Sequence, residues 1–375
     1  MNASVLDLAS SLISIDSTNP GSFELEIADF LGDVLEELGF SVERQRFSDL
    51  RMNLFAYKNP ERVRLLLCGH LDTVPPTKGW KSEPFIPKVV KGRLFGLGSC
   101  DMKGAIAAMI VAGLDALNED RGVGVGFLFT SDEEVGMSGA RSASQRIKEK
   151  FRALKLCLIG EPTDLRLGVC HKGVLRAILR VKGVASHSSI PEVGSNAVHH
   201  GIKILSKMIE KGAPKIEHKL LGSPTFQVTI VKGGIAENVV PDSFEAKIDM
   251  RLVPPETEES RKNLLMRILG EYRGIDTKEI EFSLSLPPYE APPLPEIGSI
   301  SRIMGSMGLD PEAIGLPYLT EASVYWMEGI PSVVIGPGDI RQAHKPDESV
   351  YISKLALAKK LYKELILFFN NPEGD

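Results

Sequence analysis

The chain has 375 residues, 43% hydrophobic and 25% charged, with a net charge of -5, a pI of about 5.9 and a mean hydropathy near zero. That is an ordinary globular composition, long enough for two domains. Lys and Arg are scattered among acids rather than gathered in a stripe, which excludes nucleic acid as the expected partner. No stretch reaches the roughly 20 apolar residues of a membrane span.

The N-terminus lacks a basic segment followed by a long apolar one, so a cytoplasmic protein is expected. Residues 4–14, SVLDLASSLIS, and 23–38, FELEIADFLGDVLEEL, repeat apolar positions at helical spacing. Gly39 reads as a C-terminal cap before a strand at FSVERQRF. Helices then alternate with the apolar runs VRLLLCGH, VGVGFLFTSDEE, LKLCLIGEP and IPSVVIGPG, each apolar on both pleat faces, as strands covered by helices are. This half reads as α/β. Three of the four runs carry acids or histidine at their C-terminal ends, where open parallel sheets place ligands. Cys68, Cys100, Cys157 and Cys170 are too few and too irregularly spaced for a disulfide framework, so reduced and mostly buried thiols are expected.

From about residue 170 the pattern becomes strand GVLRAILRVKG, helix SNAVHHGIKILSKMIEKG, strands PTFQVTIVKGG and SFEAKIDMRLV, helix ESRKNLLMRILGEY and strand KEIEFSLSL. This β-α-β-β-α-β order predicts a ferredoxin-like module inserted into the α/β domain. The Pro-rich stretch LPPYEAPPLPE reads as the return linker, followed by helices at SISRIMGSMGL and SKLALAKKLYKELILFF. The expected division is 1–172, 173–287 and 288–375.

The strand ends carry the chemistry. His70 and Asp72 stand two apart on an extended chain, so both side chains point the same way, and Asp72 can fix the imidazole tautomer of a metal-ligating His70. A capped strand end with a surface ion pair is the plainer reading of that pair. Asp101 precedes an Ala-rich helix and reads as a helix cap or a ligand. TSDEEVG packs three acids, which need cations or open solvent; Glu133 and Glu134 could divide the roles of base and ligand. Glu161 repeats the arrangement one strand later, and His344 follows the last strand in a loop. Two histidines with several carboxylates and no cysteine suit a catalytic zinc site that keeps coordination open, or two ions sharing a carboxylate.

Taken in order, GHLDTVP, GRLFGLGSCDMKG, TSDEEVG, GEPTD, GVASHSSIPEVGSNAV, ENVVPDSFEAKIDMRL and GPGDIRQAHKPDE resemble the dinuclear zinc deacylases and exopeptidases. That family includes acetylornithine deacetylase, succinyl-diaminopimelate desuccinylase and the aminoacylases. The resemblance covers nearly the whole chain. It implies an αβα catalytic domain with an inserted α+β lid and dimerisation domain, and two divalent ions, zinc or alternatively cobalt. His70, Asp101, Glu134, Glu161 and His344 would be the ligands and Asp101 the bridge. Asp72 would orient His70, and Glu133 would act as general base while a bridging water attacks the amide carbonyl. His187 would reach the partner subunit's active site, which predicts a homodimer. Asn238 and Arg251 resemble residues that bind the substrate carboxylate, although Arg251 could equally pair with Glu245 or Asp249 on the sheet. Glu321 in LTEAS could face a cationic substrate side chain, and Val324 stands where the desuccinylases carry an arginine for the succinyl group.

The expectation is therefore hydrolysis of an N-acyl amino acid, in the manner of an acetylornithine deacetylase. A desuccinylase, dipeptidase or carboxypeptidase is the alternative. A dinucleotide fingerprint fails because Asp101 stands where glycine is needed, and GMSGA lacks the spacing of a serine nucleophile elbow.

Overall fold

The computed structural model describes residues 4–371 and forms two compact units. The first takes the chain as far as Val169, then Ala291–Ile314 and everything from Thr320 onward. The second takes Cys170–Glu290 together with Gly315–Leu319.

In the first unit the strands Ser41–Arg46, Met52–Lys58, Val125–Thr130, Leu65–His70, Leu156–Ile159 and Ser332–Val334 lie side by side in that order. The first three pair antiparallel. Leu65–His70 runs parallel to both neighbours, and Ser332–Val334 runs parallel to Leu156–Ile159. Every residue of Leu65–His70 and of Val125–Thr130 is buried, as the doubly apolar runs require. The helices Val5–Ile13, Lys103–Glu119 and Ile352–Asn370 share one apolar core with this sheet. Lys103–Glu119 is buried all round through Gly113, which accounts for its small side chains: a methyl on Gly104 would come within 2.4 Å of the Ser99 carbonyl oxygen. Gly39 closes the helix Leu25–Glu37 at φ +86°, donating to the Glu36 carbonyl.

Several strands carried no clear sequence signal, among them Met52–Lys58 and Leu167–His171, and also Lys88–Val90, Arg93–Phe95 and Ser349–Tyr351, which form a small antiparallel sheet of their own.

The second unit has strands Thr225–Gly233, Ser243–Leu252, Gly173–Lys182 and Lys278–Leu286 in that spatial order, all antiparallel. Helices Ala197–Lys211 and Glu258–Glu271 pack with one face of this sheet in a single apolar cluster, as a ferredoxin-like module does. Alternation along Gly173–Lys182 explains that face: Leu175, Ala177, Leu179 and Val181 all point into the cluster. Thr257 and Ser260 cap the second helix reciprocally. Gly315–Leu319 joins this unit through the bond from Lys172 N to the Leu316 carbonyl. All four cysteines are buried and unpaired. Among the described residues no helix is long and apolar enough to cross a membrane.

Candidate metal centre

Three parallel strands end at one edge of the first unit's sheet. His70 is the last residue of Leu65–His70, opposite Thr130; Glu133 and Glu134 follow Val125–Thr130, and Glu161 follows Leu156–Ile159. Asp101 comes from the loop before Lys103–Glu119, and His344 from the loop after Ser332–Val334. This convergence at C-terminal strand ends follows from parallel topology, because every strand must leave the sheet on the same side.

The Asp101 carboxylate lies between two histidines. Its Oδ1 is 3.1 Å from His70 Nε2 and its Oδ2 is 3.5 Å from His344 Nε2. Glu161 Oε1 stands 3.5 Å from His70 Nε2, and Glu134 Oε1 stands 3.0 Å from His344 Nε2. Ligand atoms of His70, Asp101 and Glu134 all lie within 4.8 Å of one another, and so do those of His70, Glu133 and Glu161. By distance alone Glu133 is as close to a metal position as its neighbour.

His70 is buried, and its Nδ1 is 2.9 Å from the backbone carbonyl of Asp72 and 3.6 Å from the Asp72 carboxylate. The tautomer is thus set chiefly by the main chain. The Asp72 carboxylate instead accepts the backbone N–H groups of Glu133 and Glu134, each at 3.1 Å, and the Asn19 side-chain amide at 2.9 Å. Asp132, the first of the three acids, turns away from the site. It accepts from Asn19 and Ser138 and forms an ion pair with Arg51, which also holds Glu24. Asn19 and Arg51 were not singled out in the sequence, and nothing in their local spacing marks them.

Charge in this cluster is unbalanced. Burial and the neighbouring Asp101 push Glu161 well above the usual carboxylate range, and burial with Glu134 and Asp72 does the same to Glu133. Burial also raises Glu134, with Asp101 adding to it against the hydrogen bond from His344. Burial raises Asp101 too, but the hydrogen bonds from His344 and His70 outweigh it and hold Asp101 below its ordinary value. Hydrogen bonds to Asp101 and Glu134 raise His344 to about 11. Such a cluster holds extra protons unless cations supply the positive charge. Glu161 Oε1 is buried without a hydrogen-bond donor. An orphaned carboxylate oxygen beside a buried imidazole, in an all-oxygen-and-nitrogen donor set, fits divalent ions.

Glu321 has a setting different from the one expected. It is 1% exposed, with Oε1 accepting from the Thr130 hydroxyl at 2.6 Å and Oε2 from the Tyr325 hydroxyl at 2.9 Å. Both oxygens accept hydroxyl hydrogen bonds from within the core. In the second unit, exposed His187 pairs with Val239 in a two-residue ribbon beside Asn238, and its Nδ1 lies 2.8 Å from the Ser189 hydroxyl. Arg251 donates to Asp249 at 3.0 Å, the sheet ion pair that competes with a substrate role.

A family model described as Peptidase family M20/M25/M40 matches residues 66–367. The chain is 33% identical over 354 residues to an acetylornithine deacetylase of Proteus mirabilis, covering 91% of this chain and 89% of that protein. It is 30% identical over 383 residues to a probable carboxypeptidase of Paracoccidioides brasiliensis, covering 96% and 84%. Its fold matches an M20 family metallo-carboxypeptidase from Sulfolobus solfataricus with a TM-score of 0.83 at 20% identity, over 98% of this chain and 99% of the other.

Proposed function

This chain belongs to peptidase family M20/M25/M40 and hydrolyses amide bonds, and we propose that it is a two-metal deacylase of N-acyl amino acids. N2-acetylornithine, or a related acylated basic amino acid, is its substrate class. The observation that carries this reading is the placement of the two Asp101 oxygens toward two separate histidines. Asp101 would bridge two ions, with His70 and Glu161 holding one and Glu134 and His344 the other. When bound, such ions polarise the scissile carbonyl and lower the pKa of water.

Glu133 is the general base. Asp72 fixes its backbone, and the carboxylate takes a proton from the attacking water and delivers it to the leaving amine. In the second unit, Asn238 and Arg251 bind the substrate carboxylate, and His187 completes the site of a second subunit. Exposed Ile202 and Ile209 on Ala197–Lys211, and Ile230 and Val231 on the edge strand Thr225–Gly233, support self-association through this unit. Four unpaired cysteines support a cytoplasmic enzyme. Identity to the acetylornithine deacetylase favours the acetyl substrate, as does apolar, buried Val324 where a succinyl group would need a cation. A carboxypeptidase is the second reading, favoured by the relative of that name at nearly full coverage.

The test is amine release from N2-acetyl-L-ornithine, N-succinyl-LL-diaminopimelate and a C-terminally unblocked dipeptide, each with and without prior chelation. Chelator-sensitive cleavage of the acetyl substrate alone is expected. Preference for the dipeptide would replace this reading with the second.

A further inference from the structure

The strands Arg93–Phe95 and Ser349–Tyr351 pair antiparallel, Phe95 opposite Ser349, and then separate. One branch runs through Gly96 and Gly98 to Asp101; the other runs back through Glu348 to His344. Each branch delivers one of the two facing side chains of the candidate centre. At the fork stands Glu348, 1% exposed. Its Oε1 accepts the N–H of Cys100 at 2.8 Å and of Asp101 at 3.1 Å, and its Oε2 accepts the N–H of Gly98 at 3.1 Å. Its backbone carbonyl takes the N–H of Gly96 at 3.1 Å.

The Asp101 branch is irregular, with φ +150° at Gly96 and +78° at Gly98, so its N–H groups have no sheet ladder to enter and need another acceptor. One carboxylate supplies it for three of them. We propose that Glu348 is a positioning residue that fixes the span between Asp101 and His344 and so governs binding of the ion those two would share with Glu134. His70 is held independently, by its strand and by the Asp72 carbonyl. His344 sits half-exposed in a loop, so its distance from Asp101 depends on what ties the two branches together.

The inference rests on the two-metal reading, and the test separates the two. Metal-free wild type, Glu348→Gln and Glu348→Asp are titrated with Zn²⁺ by calorimetry, with bound zinc counted after dialysis and thermal melting of each metal-free protein recorded. Wild type should take two equivalents. In Glu348→Gln an amide N–H faces the Gly98 N–H, and in Glu348→Asp the carboxylate falls short of the loop. The second equivalent should weaken about 10- to 100-fold in both, the range found when a partner behind a metal ligand is removed, while the first, which would share Asp101 but keep His70 and Glu161, weakens by a clearly smaller factor. Equal weakening of both equivalents, following the loss of melting temperature, would show a merely structural role and overturn the proposal. So would an unchanged second equivalent in Glu348→Asp, which keeps the charge and answers the question if Glu348→Gln does not fold. A wild type that binds no second equivalent would overturn the two-metal reading itself, and this inference with it.

Discussion

Asp72 accepts the backbone N–H groups of both Glu133 and Glu134, so a residue two positions from His70 fixes the turn that carries the acids. Glu133→Gln keeps that turn and the candidate ligands and removes only the proposed base. Two equivalents of zinc should still bind, while kcat falls by about 10² to 10⁴, the usual worth of a general base, with KM little changed. Near-normal turnover would assign the base elsewhere. Glu321→Gln tests the buried setting of Glu321: with both oxygens held by Thr130 and Tyr325, KM for a cationic substrate should stay within about threefold. A large rise confined to KM for cationic substrates would return Glu321 to the substrate site. At this scale the acids and histidines were legible because charge at the end of an apolar run is costly and calls for a reason. The burial of Glu321 was not legible for the opposite reason: a carboxylate in a polar-looking loop gives no local sign that two hydroxyls will bury it. Asn19 and Arg51 reach Asp132 from distant segments, and no spacing rule connects them.

The apolar runs announced the central strands, and parallel pairing then forced their ends together. What the runs could not announce is how tightly those ends pass one another. A methyl on Gly336 would lie 2.1 Å from the Gly160 carbonyl oxygen and 2.4 Å from that of Glu161, both rigid backbone atoms. Gly336→Ala must therefore displace the segment carrying Glu161. The expected loss is about 1–3 kcal/mol of stability, as for other overpacked sites, with weaker zinc binding at the His70 and Glu161 side. Denaturant unfolding and a zinc titration would check both, and an unchanged protein would mean that the two segments separate easily. The short strands Lys88–Val90, Arg93–Phe95 and Ser349–Tyr351 escaped notice because three residues cannot display a period. They nevertheless bring the Asp101 and His344 loops side by side.

For the molecule as a whole, composition and element order were enough to anticipate two architectures in one chain, since each has its own periodicity. They could not show that Gly315–Leu319 returns to the second unit, because five residues pair according to what lies beside them, not according to their own pattern. The second unit also carries a pH dependence. His171 is fully buried beside Tyr289, and burial lowers its pKa to about 4. Below the ordinary value of 6.5 the unfolded chain binds a proton that the folded one refuses. Stability therefore falls as pH drops from about 6.5 to about 4, by about 3 kcal/mol in total. Urea unfolding of metal-free protein at pH 7 and pH 4.5 should show this slope, and His171→Asn should flatten it whatever its absolute stability. An unchanged slope in that variant would assign the effect to other groups.

The candidate donors are strung along the chain in an order that matters while it is being made. His70, Asp101, Glu134 and Glu161 all leave the ribosome before the second unit, and His344 only after it. A nascent chain thus carries four of the five candidate donors without the histidine that faces the outer oxygen of Asp101. The candidate centre therefore lacks its fifth side chain until the segment after the second unit has been made.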